Sequence, residues 1–202
     1  MSHAKSLGYV PRSTTSAFAT VNVTVNAPSG TPSSLTMSRG TVFTSRIDNK
    51  TYSFVNTEAQ TITPSNGVYK FENLVINQGT IREYEFTVDD TNTRQKFEIP
   101  DANVDTSTLL VTVRPNRAST DEDTYARVQN VVDVDGSSQV YFLQESLDGK
   151  FEIYFGDNIF GKRLEAGNVV TVNYLISEGP AANGAALFTL DGNIEGNTNV
   201  TI

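Results

Sequence analysis

The chain is a succession of short stretches in which apolar and polar side chains alternate. Ala17, Ala19, Val21, Val23 and Val25 fall on one side of such a stretch, and Thr20, Asn22 and Thr24 on the other. The same alternation recurs at Tyr52 and Phe54, at Tyr69 and Phe71, at Tyr84, Phe86 and Val88, and at Leu109, Val111 and Val113. A period of two sends successive side chains to opposite faces, so each stretch predicts a strand with one face buried. Val140 and Phe142, then Phe151, Ile153 and Phe155, predict two more strands, joined across Leu147-Asp148-Gly149-Lys150 as a hairpin. A further strand is predicted from Val169 to Leu175.

Turn signals separate these runs. Asp48-Asn49, Pro64-Ser65-Asn66-Gly67, Asn77-Gln78-Gly79, Asp89-Asp90-Thr91-Asn92, Asp135-Gly136 and Asp148-Gly149 all hold residues that accept the positive φ of tight turns. Short strands at this spacing predict a mainly β chain of antiparallel β-sandwich-like domains with little helix. Ser119 and Glu122 have the spacing of a capping box ahead of Tyr125-Ala126-Arg127-Val128, and an exposed loop leading into a strand fits the same residues. The polar stretch Pro115 to Asp123 is the expected domain boundary. The expected organisation is a linker or N-terminal segment over 1–16, an antiparallel β domain over 17–115 and a second β-rich domain over 116–202. Both ends read as cut from a longer protein, the C-terminal one in mid-strand.

Composition reinforces the strand reading, with 25 Thr and 21 Val against 11 Leu in 202 residues. It also removes several chemistries. There is no cysteine and no tryptophan, and the single histidine is His3, so thiol nucleophiles, disulfides, thiolate zinc sites and histidine triads lack their residues. With 38 % hydrophobic and 19 % charged residues the chain is too apolar for disorder. No run approaches the roughly 18 apolar residues of a membrane span, so a soluble chain is expected.

The net charge is −8. Divided at residue 115, the first part is neutral, with ten basic and ten acidic residues, and the second carries the whole excess, with five and thirteen. Excess acidity argues against nucleic acid, which needs clustered positive charge. It serves either as a solubilising face or as a complement to a basic partner surface. Lys5 with Arg12, and Lys162 with Arg163, are too few to form a nucleic-acid groove.

Two dense carboxylate groups stand out, Asp121-Glu122-Asp123 and Asp133-Val134-Asp135-Gly136. The second matches only the first two ligand positions of a calcium loop, with its glycine misplaced, and reads instead as an Asp-Gly turn. No pair of carboxylates is set apart as a glycosidase pair, and the tyrosines and phenylalanines fall mainly on alternating strand positions, where core packing explains them. No catalytic residue, cofactor or metal is expected.

The more specific feature is the long connection from Phe155 to Asn168. Gly156, Gly161 and Gly167 punctuate it, and Ile159 and Phe160 lie between the first two. Such a loop can fold back and bury its own apolar residues, as a rigid plug or as a binding loop.

The series Phe155-Gly156-Asp157-Asn158-Ile159-Phe160-Gly161-Lys162, Gly167-Asn168, Val172-Asn173-Tyr174-Leu175, Gly179 and Ala182-Asn183-Gly184 resembles the baseplate J family of contractile phage tails, the T-even type wedge proteins of the inner ring above all. Leu7-Gly8-Tyr9-Val10-Pro11-Arg12, Phe97-Glu98-Ile99-Pro100, Val104-Asp105 and Val140 to Ser146 add to the likeness. One departure is Asn158, where the family often has glycine; asparagine also accepts positive φ.

The resemblance implies a structural, non-enzymatic component of the virion's tail baseplate, assembled in the host cytoplasm. It would bind other baseplate wedge proteins and, in the full-length protein, further copies of itself, and pass on the rearrangement that accompanies sheath contraction. Nucleic acid, membrane and small-molecule substrate are not implied. This chain would be the β-rich portion, without the family's helical segments. Its motif residues then serve architecture: Gly156, Gly161 and Gly167 shape the loop, Phe155 and Tyr174 pack beneath it, Asp157 caps backbone amides, Lys162 belongs to the loop, and Asn183-Gly184 forms a further turn. The competing reading is a carbohydrate-binding tail-fibre or adhesin-like β module, which would expose an aromatic groove rather than broad protein contacts.

Overall fold

The computed structural model describes residues 13–26, 32–89, 95–146 and 149–202. The Leu7 to Arg12 motif, Lys5, Asp90-Thr91-Asn92 and Leu147-Asp148 lie outside them. In chain order the strands are β1 (Phe18–Asn26), β2 (Leu35–Met37), β3 (Val42–Ile47), β4 (Lys50–Asn56), β5 (Gln60–Ile62), β6 (Val68–Gln78), β7 (Thr80–Thr87), β8 (Lys96–Glu98), β9 (Val104–Arg114), β10 (Asp123–Arg127), β11 (Val140–Glu145), β12 (Phe151–Phe155), β13 (Val169–Ile176), β14 (Thr189–Leu190) and β15 (Val200–Thr201). The helical elements among the described residues are two 3₁₀ turns, Val131–Asp133 and Gly179–Ala182. The protein is mainly β, in barrel- or sandwich-like sheets.

Two compact units share these strands. One comprises Thr14–Ile81 and Ile176–Ile202, and is called the host unit here; the other, the insert unit, holds Arg82–Leu175 together with Ser13. The expected boundary near 115 is corrected by the pairing. Val113, Thr112 and Val111 of β9 face Asp123, Thr124 and Tyr125 of β10, so residues 115–122 connect neighbouring strands of one sheet. The Asn116 side chain holds that connection, accepting hydrogen bonds from the amides of Ala118 (2.9 Å) and Ser119 (3.1 Å). A polar surface loop and a polar linker have the same composition, which is why the sequence misleads here. Ser119 and Glu122 lead into a strand, not a helix.

The host unit is built on a six-stranded sheet ordered β14-β3-β4-β6-β1-β15, with β2 and β5 paired separately. Its core takes the alternating apolar positions of β1 and β6, including Val23, Val25, Tyr69, Phe71 and Ile76, all fully buried. The β3–β4 hairpin turns through Asp48 and Asn49 at φ 45° and 68°, as two-residue turns of this hand require. Asn77-Gln78-Gly79 is not a hairpin: β6 runs to Gln78 and β7 begins at Thr80 in the other sheet.

The insert unit carries a seven-stranded sheet ordered β7-β13-β9-β10-β11-β12-β8. Its two edge strands approach each other, because the rings of Phe86 on β7 and Phe97 on β8 lie 5.0 Å apart. β10 and β11 pair in parallel, within an otherwise antiparallel run from β9 to β8. β13 is buried on both faces at Val169, Val170, Thr171 and Val172, hence its nearly unbroken apolar sequence. On β11 the expected face is reversed: Tyr141 and Leu143 are the buried pair, while Val140 and Phe142 are half-buried on the opposite side. The run Val140-Tyr141-Phe142-Leu143 is apolar on both faces, so its alternation alone does not choose one.

Candidate functional site

The loop after β12 starts from an aromatic anchor. Phe155 meets Phe97 edge-on at 5.9 Å and Tyr125 edge-on at 5.4 Å, geometries that aromatic rings favour. Directly after it, Gly156 lies against backbone: a Cβ there would stand 2.1 Å from the carbonyl oxygen of Gly161. Its φ is not positive, so the glycine is required for close approach and not for handedness. Asp157 Oδ1 accepts hydrogen bonds from the amides of Ile159 and Phe160, both 3.0 Å. This is the local side-chain capping that Asp favours in turns. Asn158 adopts φ 71°, and its Oδ1 accepts from the Arg163 amide at 2.8 Å. The Asn158 N–H donates to Gly161 O at 2.9 Å, and Gly161 itself has φ 89°.

Farther on, Gly167 (φ 86°) and Asn168 are fastened to the residue after β7. Gly167 N–H donates to Val88 O (2.9 Å) and Val88 N–H donates to Asn168 O (2.8 Å). The Asn168 side chain accepts from the Glu165 amide and donates to Pro115 O.

A second loop, between β10 and β11, is locked onto the first. Gly161 N–H donates to Asp135 O and Lys162 N–H donates to Ser138 O, both at 2.8 Å. A Cβ on Gly136 would lie 2.2 Å from Asn158 O, so the Asp-Gly pair allows two backbones to touch and does not mark a positive-φ turn. Asp135 Oδ1 accepts from the hydroxyl and amide of Ser137, each 2.8 Å, and from the Ser138 hydroxyl at 2.9 Å. The Ser137 hydroxyl first, then the Ser137 amide and the Ser138 hydroxyl, hold the Asp135 carboxyl below its usual range. Just upstream, the Asn130 side chain accepts from the Val132 amide and donates to Asp133, capping the 3₁₀ turn that carries Val131 and Val132.

These two loops display apolar side chains outward. Val132 is 88 % exposed, Ile159 67 %, Phe160 51 % and Val131 48 %. Beside them is a hollow of roughly 830 Å³ walled by Val131, Phe142, Tyr154, Phe155 and Phe160 among others. Phe142 and Tyr154 stack there at 5.0 Å and 11°. Among the charged groups at the hollow, Lys96 pairs with Glu152 at 2.8 Å, while the exposed pair Lys162–Asp123 at 3.9 Å contributes little.

Of the motif residues, the structure brings together Phe155, Gly156, Asp157, Gly161 and Lys162, with Gly167 closing the same loop. Tyr174 takes a different place: it is buried on β13, its hydroxyl donates to Asp101 at 2.5 Å, and it does not line the hollow. Asn183 and Gly184 belong to the host unit, where Asn183 ends the Gly179–Ala182 turn and Gly184 has φ 97°. The sequence pattern does not single out Val131, Val132 or the stacking of Phe142 on Tyr154, and it marks Gly136 as a turn residue and not as a point of contact between two backbones. The available signal was a pair of adjacent valines inside the polar run Gln129 to Ser138.

The arrangement suits contact. The carboxylates of Asp135 and Asp157 are engaged in shaping turns, and among the described residues no group of three or more His, Asp or Glu side chains is placed to hold a metal. What it presents is a fixed apolar tip beside an aromatic hollow.

No curated protein matches the chain. A family model does, over residues 81–186, and its description is bacteriophage baseplate wedge protein gp6, third domain. That match starts within one residue of the insert unit and contains all of Arg82–Leu175, including both interlocked loops. The chain therefore belongs to the bacteriophage baseplate wedge protein gp6 family, with the insert unit as its third domain, and is a structural protein of the phage baseplate.

Proposed function

We propose that this chain is a scaffold element of a contractile-tail baseplate wedge of the T-even, baseplate J-like type. In this reading it binds other wedge proteins and further copies of itself within the full-length protein, and carries the rearrangement that follows sheath contraction. It acts in the virion's tail baseplate after assembly in the host cytoplasm. The observation that carries the reading is the pinned loop pair on the matched domain. Gly156 against Gly161 and Gly136 against Asn158 leave no room for the loops to slide, so a load applied at their tips is passed to the sheet. Enzymatic work is not part of the reading, because the sequence holds no cysteine and only one histidine, His3.

A carbohydrate-binding module would need ring faces open to a sugar. Phe142 and Tyr154 lie face to face and are half-buried, which leaves less ring surface for stacking. The test is to mix the purified chain with each other wedge protein of the same phage and to apply the chain alone to a glycan array. Co-elution with at least one wedge protein and a blank array are expected; glycan binding without any wedge partner overturns the reading.

A further inference from the structure

Resting on that reading, we propose that the joined tips of loops 131–138 and 156–163 form the docking face for a neighbouring baseplate protein that presents an apolar projection within a basic surround. Three observations converge on it. The insert unit has five exposed large apolar side chains among its described residues, and four of them, Val131, Val132, Ile159 and Phe160, sit on these two loops. Such clustering marks a surface that is covered in the assembled state, whereas scattered exposed hydrophobics do not.

Second, the tips are preorganised. Asp157 holds the Ile159 and Phe160 amides, Asn130 holds that of Val132, and the two loop backbones are bonded to each other. Docking onto fixed side chains loses little conformational freedom, which favours tight association. The adjoining hollow, with its stacked Phe142 and Tyr154, can take a protruding apolar side chain.

Third, charge selects among occupants. Arg82–Leu175 holds nine basic and seventeen acidic side chains, a net charge of −8, while the remaining residues are neutral. A second copy would bring the same acidic unit to the contact, and anionic lipid or nucleic acid would also be repelled. A basic protein surface is attracted, and like-charge contact is penalised.

The experiment uses the whole chain and each other wedge protein of the same phage, purified and ranked by isoelectric point. Binding is measured at about 50 and 500 mM NaCl. A basic wedge protein is expected to bind, with affinity about tenfold weaker at high salt. A V132S/I159S/F160S variant, altered only at exposed positions, should melt like the parent and lose at least about tenfold in affinity. Leu187→Ser, an equally apolar exposed site in the host unit, should bind as the parent does. If a wedge protein binds the parent and the triple variant equally, the docking face is wrong and the wedge reading stands. If the triple variant abolishes self-association of the chain instead, the occupant is a second copy and the proposal fails. If the partner is acidic or its binding ignores salt, the basic surround is wrong. If no wedge protein binds the parent at all, the wedge reading fails with it.

Discussion

A Cβ on Gly156 would meet the carbonyl oxygen of Gly161 at 2.1 Å and its carbonyl carbon at 2.2 Å, both backbone atoms that cannot rotate away. Gly161 is tight as well, since a Cβ there would lie 2.9 Å from the Val140 side chain at φ 89°. Gly167 has φ 86° with open space around it. The expected order of destabilisation on substitution by alanine is therefore Gly156, then Gly161, then Gly167. Gly167→Ala should cost about 1–2 kcal/mol for its left-handed backbone alone. Gly156→Ala should exceed it, at about 3 kcal/mol or more, because the backbones must separate. Gly161→Val should be worse than Gly161→Ala, since a β-branched residue tolerates positive φ poorly. Urea midpoints of the variants give the order, and a Gly167 variant less stable than the Gly156 variant would refute it.

Asp157 should behave as a cap. Replacement by alanine removes the acceptor of the Ile159 and Phe160 amides and is expected to cost about 1 kcal/mol. Asparagine keeps an oxygen in the same place and should recover most of the loss. Thermal melts of the three proteins decide this; equal losses for Ala and Asn would mean that the charge, not the acceptor, matters.

Several of these relationships were legible in the residues and others were not. Alternation at Val21, Val23 and Val25, and at Tyr69 and Phe71, places strands and their buried faces, because one side of each sheet is wet and the pattern shows it. The same logic fails on β11, where Val140 to Leu143 are apolar on both faces and alternation carries no sign. It fails again at the unit boundaries. Beyond Ser13, the chain passes between units at 81/82 and 175/176, inside β7 and inside β13, so no polar linker marks these two changes. Within the loop, Gly156 and Gly161 were recognisable as constrained positions, but the partner of the loop was not. Gly136 is twenty residues from Gly156, and only the folded chain sets it against Asn158.

On the acid side, hydrogen bonds from the Ser137 hydroxyl, the Ser137 amide and the Ser138 hydroxyl hold Asp135 below its ordinary pKa of 3.8. A carboxyl lowered in the folded state binds fewer protons than in the unfolded one. Its contribution is thus complete above pH ~4 and is lost as pH falls through the folded value. The expected result is a stability decline below pH 4 that is shallower in Asp135→Asn than in the parent. Parallel declines in the two proteins would show that Asp135 has no part in it.

At the alkaline end the sign is reversed. Burial pushes the Tyr141 hydroxyl up from 10.0 to about 12, and burial together with the Asp101 hydrogen bond raises Tyr174 in the same direction. The folded state keeps a proton that the unfolded state releases. Stability from Tyr141 is therefore complete below pH 10 and falls as pH rises through 12. Across that window the loss should reach about 3 kcal/mol. Tyr141→Phe, which cannot ionise, should lose correspondingly less between pH 10 and 12, read as the difference in denaturant midpoints; an unchanged alkaline limb would show that Tyr141 already ionises near pH 10.

The pairing of β9 with β10 also separates two ways of dividing the chain. A piece comprising residues 116–202, the division expected from composition, would keep β10, β11, β12 and β13 but lose β9, which lies between β13 and β10 in the sheet order. It would also lose β8, whose Phe97 supports Phe155. Exposing the edges of β10 and β13 in the middle of a sheet leaves backbone donors and acceptors without partners and opens the core. A piece comprising residues 81–186 keeps all seven strands in order, apart from the first residue of β7. The longer piece is expected to give a cooperative melt and dispersed amide resonances, and the shorter one neither. A folded 116–202 fragment would mean that β10 and β13 can pair without β9, and that the sheet order seen here is not required by the insert unit.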